Sequence, residues 1–247
     1  MSLLDLHHSG SGTPILFLHG FTQSRTSAND FRQLLAPAGD IITVDLPGHG
    51  DHATVRSNLP DTADLLAASL SEPVAVVGYS LGGRIALHLA LRHPELVTRL
   101  VTIGAVAGLA TLEARVARQQ RDEALATHIV SVGVEQFLEE WTRQPLFAHT
   151  RLSPAEVASR SVNTADGLAS SLVLAGTGTQ EWLAPRLTGL TMPCTFVAGA
   201  MDLRFSRHAR DLAAAAAGRW ATVAGAGHAA HVDQPSLCAA LVKRALA

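Results

Sequence analysis

Short apolar runs, closed off by turn-forming residues, alternate along this chain with longer stretches in which apolar residues recur every three or four positions. Ile15–Leu18, Ile41–Val44, Val74–Val77, Leu100–Ile103, Cys194–Ala198 and Ala221–Val223 read as strands, and most lack the polar alternation of a half-exposed strand, so they are expected to be buried on both faces. Asp61–Leu70, Leu81–Leu91, Arg207–Ala217 and Pro235–Leu246 carry the helical period. Strand and helix in repetition predict an α/β fold, with a mostly parallel sheet, right-handed crossovers and helices on both faces. Leu3–His7 is expected to add an antiparallel edge strand.

The alternation stops between about Ala107 and Pro185 and resumes at Met192. Ala110–Thr127, Val134–Trp141, Pro154–Arg160 and Thr164–Leu174 are helix-prone and richer in Arg, Glu and Gln than their flanks. The stretch reads as a helical lid, at about 107–185, inserted over the carboxyl ends of the strands of a single domain. A separate helical domain is the alternative, but the stretch is short and no linker sets it off.

Composition sharpens this picture mainly by exclusion. Of 247 residues 47% are hydrophobic, enough for one large core, and only 4% are aromatic, so small aliphatic side chains must fill it. The net charge of −2 and the scattered basic residues supply no stripe for a phosphate backbone, and no nucleic-acid partner is expected. Met1–Gly12 lacks a basic head with an apolar stretch, and no apolar run nears the ~20 residues of a membrane span. The expectation is a cytoplasmic protein without membrane insertion, monomeric or a small homo-oligomer. Cys194 and Cys238 stand in apolar contexts without metal spacing and read as buried thiols in a reducing compartment. Neither a metal site nor a dinucleotide cofactor is expected.

Chemistry concentrates where strands end. Gly78-Tyr79-Ser80-Leu81-Gly82-Gly83 follows one buried run and opens a helix. A G-x-S-x-G turn between strand and helix holds its serine in a strained conformation that exposes Oγ, with glycines permitting close approach of the two elements. The Leu81 amide then lies at a helix N-terminus, poised to donate to a developing oxyanion. The second oxyanion donor is expected from the exit of the earlier strand, Leu18-His19-Gly20-Phe21, with the Phe21 amide the better candidate.

Asp202 and His228 each follow a later strand, giving the chain order Ser, Asp, His of a serine nucleophile, an orienting carboxylate and a general base. His231 is a rival base three residues on, but the glycines just before His228 suit a loop that presents an imidazole at close quarters. In Asp45-Leu46-Pro47-Gly48-His49-Gly50 the carboxylate precedes the serine in the chain, and Asp45 and His49 read as structural. Arg84 lies one helical turn beyond Ser80, within reach of the same pocket.

These features resemble the α/β-hydrolase superfamily over the whole chain. The run Gly78 to Arg84, then Arg118-Gln119, Trp141-Thr142-Arg143-Gln144-Pro145-Leu146-Phe147, Arg160-Ser161 with Asn163, and Gly176-Thr177-Gly178-Thr179-Gln180, is similar to 2-succinyl-6-hydroxy-2,4-cyclohexadiene-1-carboxylate synthases. The resemblance implies a lyase of menaquinone biosynthesis that eliminates pyruvate from a cyclohexene bearing several carboxylates, with the serine acting as a base. It assigns Arg84, Arg118 and Arg160 to carboxylate binding, and Tyr79 and Trp141 to the lining of the site. Guanidinium forks suit carboxylates because they grip both oxygens. Two stretches depart from the pattern: Gly104-Ala105-Val106-Ala107-Gly108 is less polar than expected and has no proline, and Ser27-Ala28-Asn29-Asp30-Phe31 lacks a tryptophan. The same serine, histidine and aspartate would equally serve an esterase or C–C bond hydrolase acting on a small carboxylate-bearing substrate, and a non-catalytic receptor is a third class.

Overall fold

The computed structural model describes residues 4–247. Its sheet has seven strands, β1 (His7–Ser9), β2 (Pro14–Leu18), β3 (Asp40–Thr43), β4 (Val74–Tyr79), β5 (Val97–Ile103), β6 (Cys194–Gly199) and β7 (Arg219–Val223), in the spatial order β1-β3-β2-β4-β5-β6-β7. All pairings are parallel except β1 with β3, where His7 lies opposite Thr43. The edge strand therefore starts later than expected, at the last residue of Leu3–His7, and Leu3 itself lies outside the described residues. The reason is that Leu4 is drawn into the core and its amide donates to Ser69 Oγ at 2.9 Å, so pairing begins only beyond it. At the other edge β7 is largely exposed rather than buried on both faces.

Each central strand feeds two cores. Leu16 and Leu18 point to the face covered by α2 (Leu59–Ser69), α3 (Leu81–Arg92) and α7 (Leu203–Ala215); Ile15 and Phe17 point to the face covered by α1 (Asn29–Leu35) and α9 (Pro235–Leu246). Helix α3 is buried from Leu81 to Ala90, wedged between the sheet and α2. A fully buried leucine there, such as Leu87, stabilises the fold by about 2 kcal/mol. Helix α1 escaped the pattern reading because its seven residues are too few to establish a period. Helix α7 begins four residues before the expected Arg207, because Asp202 Oδ1 accepts from the Phe205 amide and caps it.

Between β5 and β6 the chain leaves the sheet for α4 (Leu112–Thr142), α5 (Pro154–Arg160) and α6 (Ala165–Ala175). Thr111, Ser153 and Thr164 cap them through side-chain oxygens. Helix α4 is broken at Gly133, whose φ of 79° and ψ of 171° lie outside helical space. The break is sharp: His128 Nε2 and Glu140 Oε2 meet at 2.5 Å, whereas 12 residues of straight helix would separate them by ~18 Å. Ile129 and Phe137, on either side of the break, pack with Leu168 and Leu172 of α6 in a small core of their own. Among the described residues no helix is long and apolar enough to cross a membrane.

Candidate active site

The carboxyl ends of β4, β6 and β7 bring Ser80, Asp202 and His228 together. Ser80 occupies the β4–α3 turn with φ 49° and ψ −104°, a left-handed strain no ordinary residue adopts without cause. The turn is possible because residue 82 has no side chain, since a β-carbon there would collide with the Leu18 carbonyl. His228 Nε2 lies 3.2 Å from Ser80 Oγ and His228 Nδ1 lies 3.1 Å from Asp202 Oδ2. An ionised carboxylate only accepts, so Nδ1 carries the proton and Nε2 is left to accept from the serine hydroxyl. Burial pushes the Asp202 carboxyl up, but the hydrogen bonds from His228 and the Phe205 amide outweigh it and hold the group below its ordinary value.

The imidazole is fixed by its surroundings. Phe205 stands with its ring centroid 4.2 Å from that of His228, and Tyr79 and Phe147 follow at 5.5 and 6.0 Å. Gly104 lies beneath the ring with φ +63°, and a β-carbon there would come within 3.0 Å of Cε1. Gly104, the first residue of the less polar Gly104–Gly108 stretch, thus lies against the histidine ring.

Phe21 and Leu81, from different elements, line the same cavity as Ser80. Neither the Phe21 nor the Leu81 amide is taken up by a turn, loop or cap hydrogen bond among the described residues. His19 explains how the first is presented: its Nδ1–H donates to the Gly20 carbonyl at 2.9 Å, and its Nε2 accepts from the Leu46 amide at 3.0 Å. Burial pulls the pKa of His19 down to about 4, although the bond to Gly20 works the other way, so the ring is neutral and structural. Asp45 likewise accepts from the Arg25 and Asp51 amides, and His49 is buried with a pKa lowered to about 3 by burial and by His19.

Above these groups opens a cavity of about 380 Å³. Ser80, His228, Phe21, Leu81, Tyr79 and Trp141 line it, together with four guanidinium groups, Arg84, Arg118, Arg121 and Arg204, and a single carboxylate, Asp122. Arg84 donates to the Ala175 carbonyl at 2.8 Å; burial, then Arg118, pulls its pKa down to about 9, which leaves it charged at neutrality. Arg118 Nε donates to Asp122 Oδ1 at 2.8 Å. Arg160 does not line this cavity. It is buried behind Tyr79, donating from Nη1 to Thr22 Oγ1 at 2.7 Å, because α5 is bound to the loop after β2 rather than turned toward the serine.

Sequence reasoning missed Arg121, Arg204 and Phe205. Arg121 stands three residues after Arg118, on the same helix face, a spacing that was legible. Arg204 and Phe205 begin a helix whose start was set too late. His231, the rival base, is fully buried beside Tyr79 with Nε2 3.3 Å from Gln23 Nε2, and burial lowers its pKa to about 3. Cys194 and Cys238 are buried free thiols whose pKa values burial raises to about 11 and about 12. No group of three or more His, Cys, Asp or Glu among the described residues is arranged to hold a metal.

Residues 15–241 match the alpha/beta hydrolase family. The 2-succinyl-6-hydroxy-2,4-cyclohexadiene-1-carboxylate synthase of Klebsiella pneumoniae is 32% identical, over 94% of this chain and 93% of that protein. The synthase of the same name from Serratia proteamaculans is also 32% identical, over 94% and 92%. Among solved structures, MenH from S. aureus superposes with a TM-score of 0.89 at 24% identity, over 98% of this chain and 97% of that one. A thermophilic esterase from Thermogutta terrifontis, solved with malate bound, gives 0.81 at 21%, over 98% and 92%. The structural likenesses speak for the fold, and the matched span and the sequence identities carry the assignment: this chain belongs to the alpha/beta hydrolase family, among relatives that include these synthases.

Proposed function

We propose that this chain is a carbon–oxygen lyase that eliminates pyruvate to form 2-succinyl-6-hydroxy-2,4-cyclohexadiene-1-carboxylate in menaquinone biosynthesis, with Ser80, His228 and Asp202 as its catalytic residues. The relatives named for that activity support the reading. The observation that carries it is the cavity beside Ser80, whose lining among the described residues includes four arginines and one aspartate. A neutral ester needs no such excess of fixed cations, whereas a substrate with several carboxylates does.

In the proposed reaction His228 Nε2 accepts the Ser80 hydroxyl proton as Oγ removes a proton from a ring carbon. The electrons of that C–H bond form the second ring double bond, and the C–O bond to the pyruvyl group breaks. The leaving enolate takes a proton back and becomes pyruvate, so no water is consumed and no acyl-enzyme forms. The Phe21 and Leu81 amides steady the oxygen on which negative charge appears, and Asp202 stabilises the His228 cation. Arg84 and Arg118 hold substrate carboxylates, Tyr79 and Trp141 shape the wall, and residues of about 107–185 form the lid of a single domain. Arg160 supports the site from behind in this arrangement.

The test offers the purified protein the pyruvyl-bearing cyclohexene precursor and, separately, short p-nitrophenyl esters. Pyruvate release that falls at least tenfold in kcat/KM in both Arg84→Ala and Arg118→Ala is expected, since each removes a charge-assisted grip of about 1.5–3 kcal/mol. Brisk ester turnover indifferent to both changes would defeat the proposal in favour of a hydrolase.

A further inference from the structure

The Gly20–Phe21 peptide is held with more connections than a strand exit requires. Its carbonyl accepts from His19 Nδ1 at 2.9 Å and from the Gln23 amide at 3.1 Å. A trans peptide points its C=O and N–H in opposite directions; the carbonyl is pinned to His19 and Gln23, neither of which lines the cavity, so the Phe21 N–H is turned the other way, on a residue that does line it. Gln23 also grips the preceding amide: the Gly20 N–H donates to Gln23 Oε1 at 2.9 Å. Because that N–H can only donate, it fixes which end of the Gln23 amide is oxygen, and Gln23 Nε2 must therefore be the group 3.3 Å from His231 Nε2.

That contact joins distant parts of the site. Gln23 follows β2, and His231 lies in the short helix α8 (Ala230–Asp233), three residues beyond His228. Both side chains are fully buried. Gln23 donates, so His231 accepts at Nε2 and keeps its proton on Nδ1, which has no hydrogen-bond partner among the described residues. The ring is held instead among Tyr79, Phe31 and Phe17, the nearest centroid being that of Tyr79 at 4.1 Å. An aromatic cage around a ring with one unused nitrogen leaves the bond to Gln23 as the polar contact that sets its tautomer.

We infer that Gln23, anchored on His231, is a positioning residue that aims the Phe21 amide at the reacting oxygen and keeps the loop carrying that amide in register with the loop carrying His228. The inference rests on the proposed roles of Ser80, His228 and Phe21. It concerns the transition state, where the amide meets a full negative charge, more than substrate binding.

The experiment measures kcat and KM for pyruvate release and, independently, the rate at which an alkyl phosphonofluoridate modifies Ser80, a reaction that uses the same hydroxyl, base and oxyanion donors whatever the natural substrate. Gln23→Leu, close in size and without either polar group, is expected to lower kcat and the modification rate by about tenfold or more with KM changed less than about twofold. Gln23→Glu is expected to recover most of both, since it still accepts from the Gly20 amide and His231 can donate to it from Nε2. Should Gln23→Leu fail to fold, His231→Phe, which keeps a ring in the cage but removes the acceptor, is expected to give the same separation of kcat from KM. Unchanged kcat and modification rate in a folded variant, or a Gln23→Glu protein as impaired as Gln23→Leu, would overturn the inference. A wild-type enzyme modified at Ser80 but releasing no pyruvate, with modification slowed in Gln23→Leu, would sink the lyase reading and leave the positioning role standing. A wild-type Ser80 inert to the reagent would remove both.

Discussion

At the residue scale, Ser80 concentrates the cost and the use of the site. A serine held at φ 49° and ψ −104° sacrifices backbone comfort so that its hydroxyl stands 3.2 Å from an imidazole. Ser80→Ala is expected to lower turnover by several orders of magnitude while the melting temperature moves by no more than about 2 °C, because the hydroxyl is not part of the core. Calorimetry beside a turnover assay checks both halves, and a destabilised but active variant would contradict the assignment. The geometry of this turn was legible in the sequence because a tight strand-to-helix turn demands glycines at fixed spacing around the strained residue. Arg160 was not, since a motif gives identity but not the direction of a long side chain, and here the guanidinium turns to Thr22.

At the element scale, the inserted helices do not all relate to the body in the same way. Helix α5 and the turn after it are bound to the loop that follows β2: Ser24 Oγ donates to the Ser159 carbonyl, Ser27 and Ser159 hydroxyls meet at 2.7 Å, and Glu156 Oε1 accepts from the Ala28 amide. Asn163 Nδ2 donates to the Thr22 carbonyl while its Oδ1 accepts from the Gly50 amide. Asn163→Ala is expected to destabilise the protein by about 1–3 kcal/mol, the cost of orphaning buried backbone groups, and urea unfolding measures it. Amide exchange at residues 20–28 should quicken in the same variant; an Asn163→Ala protein as stable as wild type would show that the tie carries no weight. By contrast, α4 and α6 pack chiefly on one another. The helical insertion could be read from the interrupted alternation, but not its sharp break: Gly133 was an ordinary glycine until its φ of 79° was known.

At the scale of the whole molecule, acid sensitivity follows from buried neutral histidines. Burial lowers His19 and His88 to about 4 and His49 and His231 to about 3, against 6.5 when exposed. Between about pH 6.5 and pH 4 the unfolded chain binds protons that the folded one refuses, so the stability these groups support is fully present above pH 6.5 and is lost as pH falls. Each contributes on the order of 1 kcal/mol of loss one pH unit below 6.5. Asp202, depressed in the fold, adds to the loss at lower pH still, while Asp122 and Asp233, raised by burial, offset part of it. Denaturant midpoints should therefore fall from pH 7 to pH 5, and a flat profile would contradict the neutral, buried state of these rings.

The order of strands and the parallel sheet were readable because burial on both faces leaves an unbroken apolar run. The arginine excess in the cavity was only half readable: Arg204 reaches it from a helix that starts before its expected first turn, whereas Arg121 stands at a legible spacing on the face of Arg118. The central claim is that Ser80, served by His228, takes a proton from carbon within that cationic cavity. The most direct measurement is single-turnover pyruvate release from the cyclohexene precursor by wild-type protein, Ser80→Ala and His228→Ala. One pyruvate per precursor from the wild type, slowed about a thousandfold or more in each variant, is the result predicted. Release by Ser80→Ala at close to the wild-type rate would contradict it.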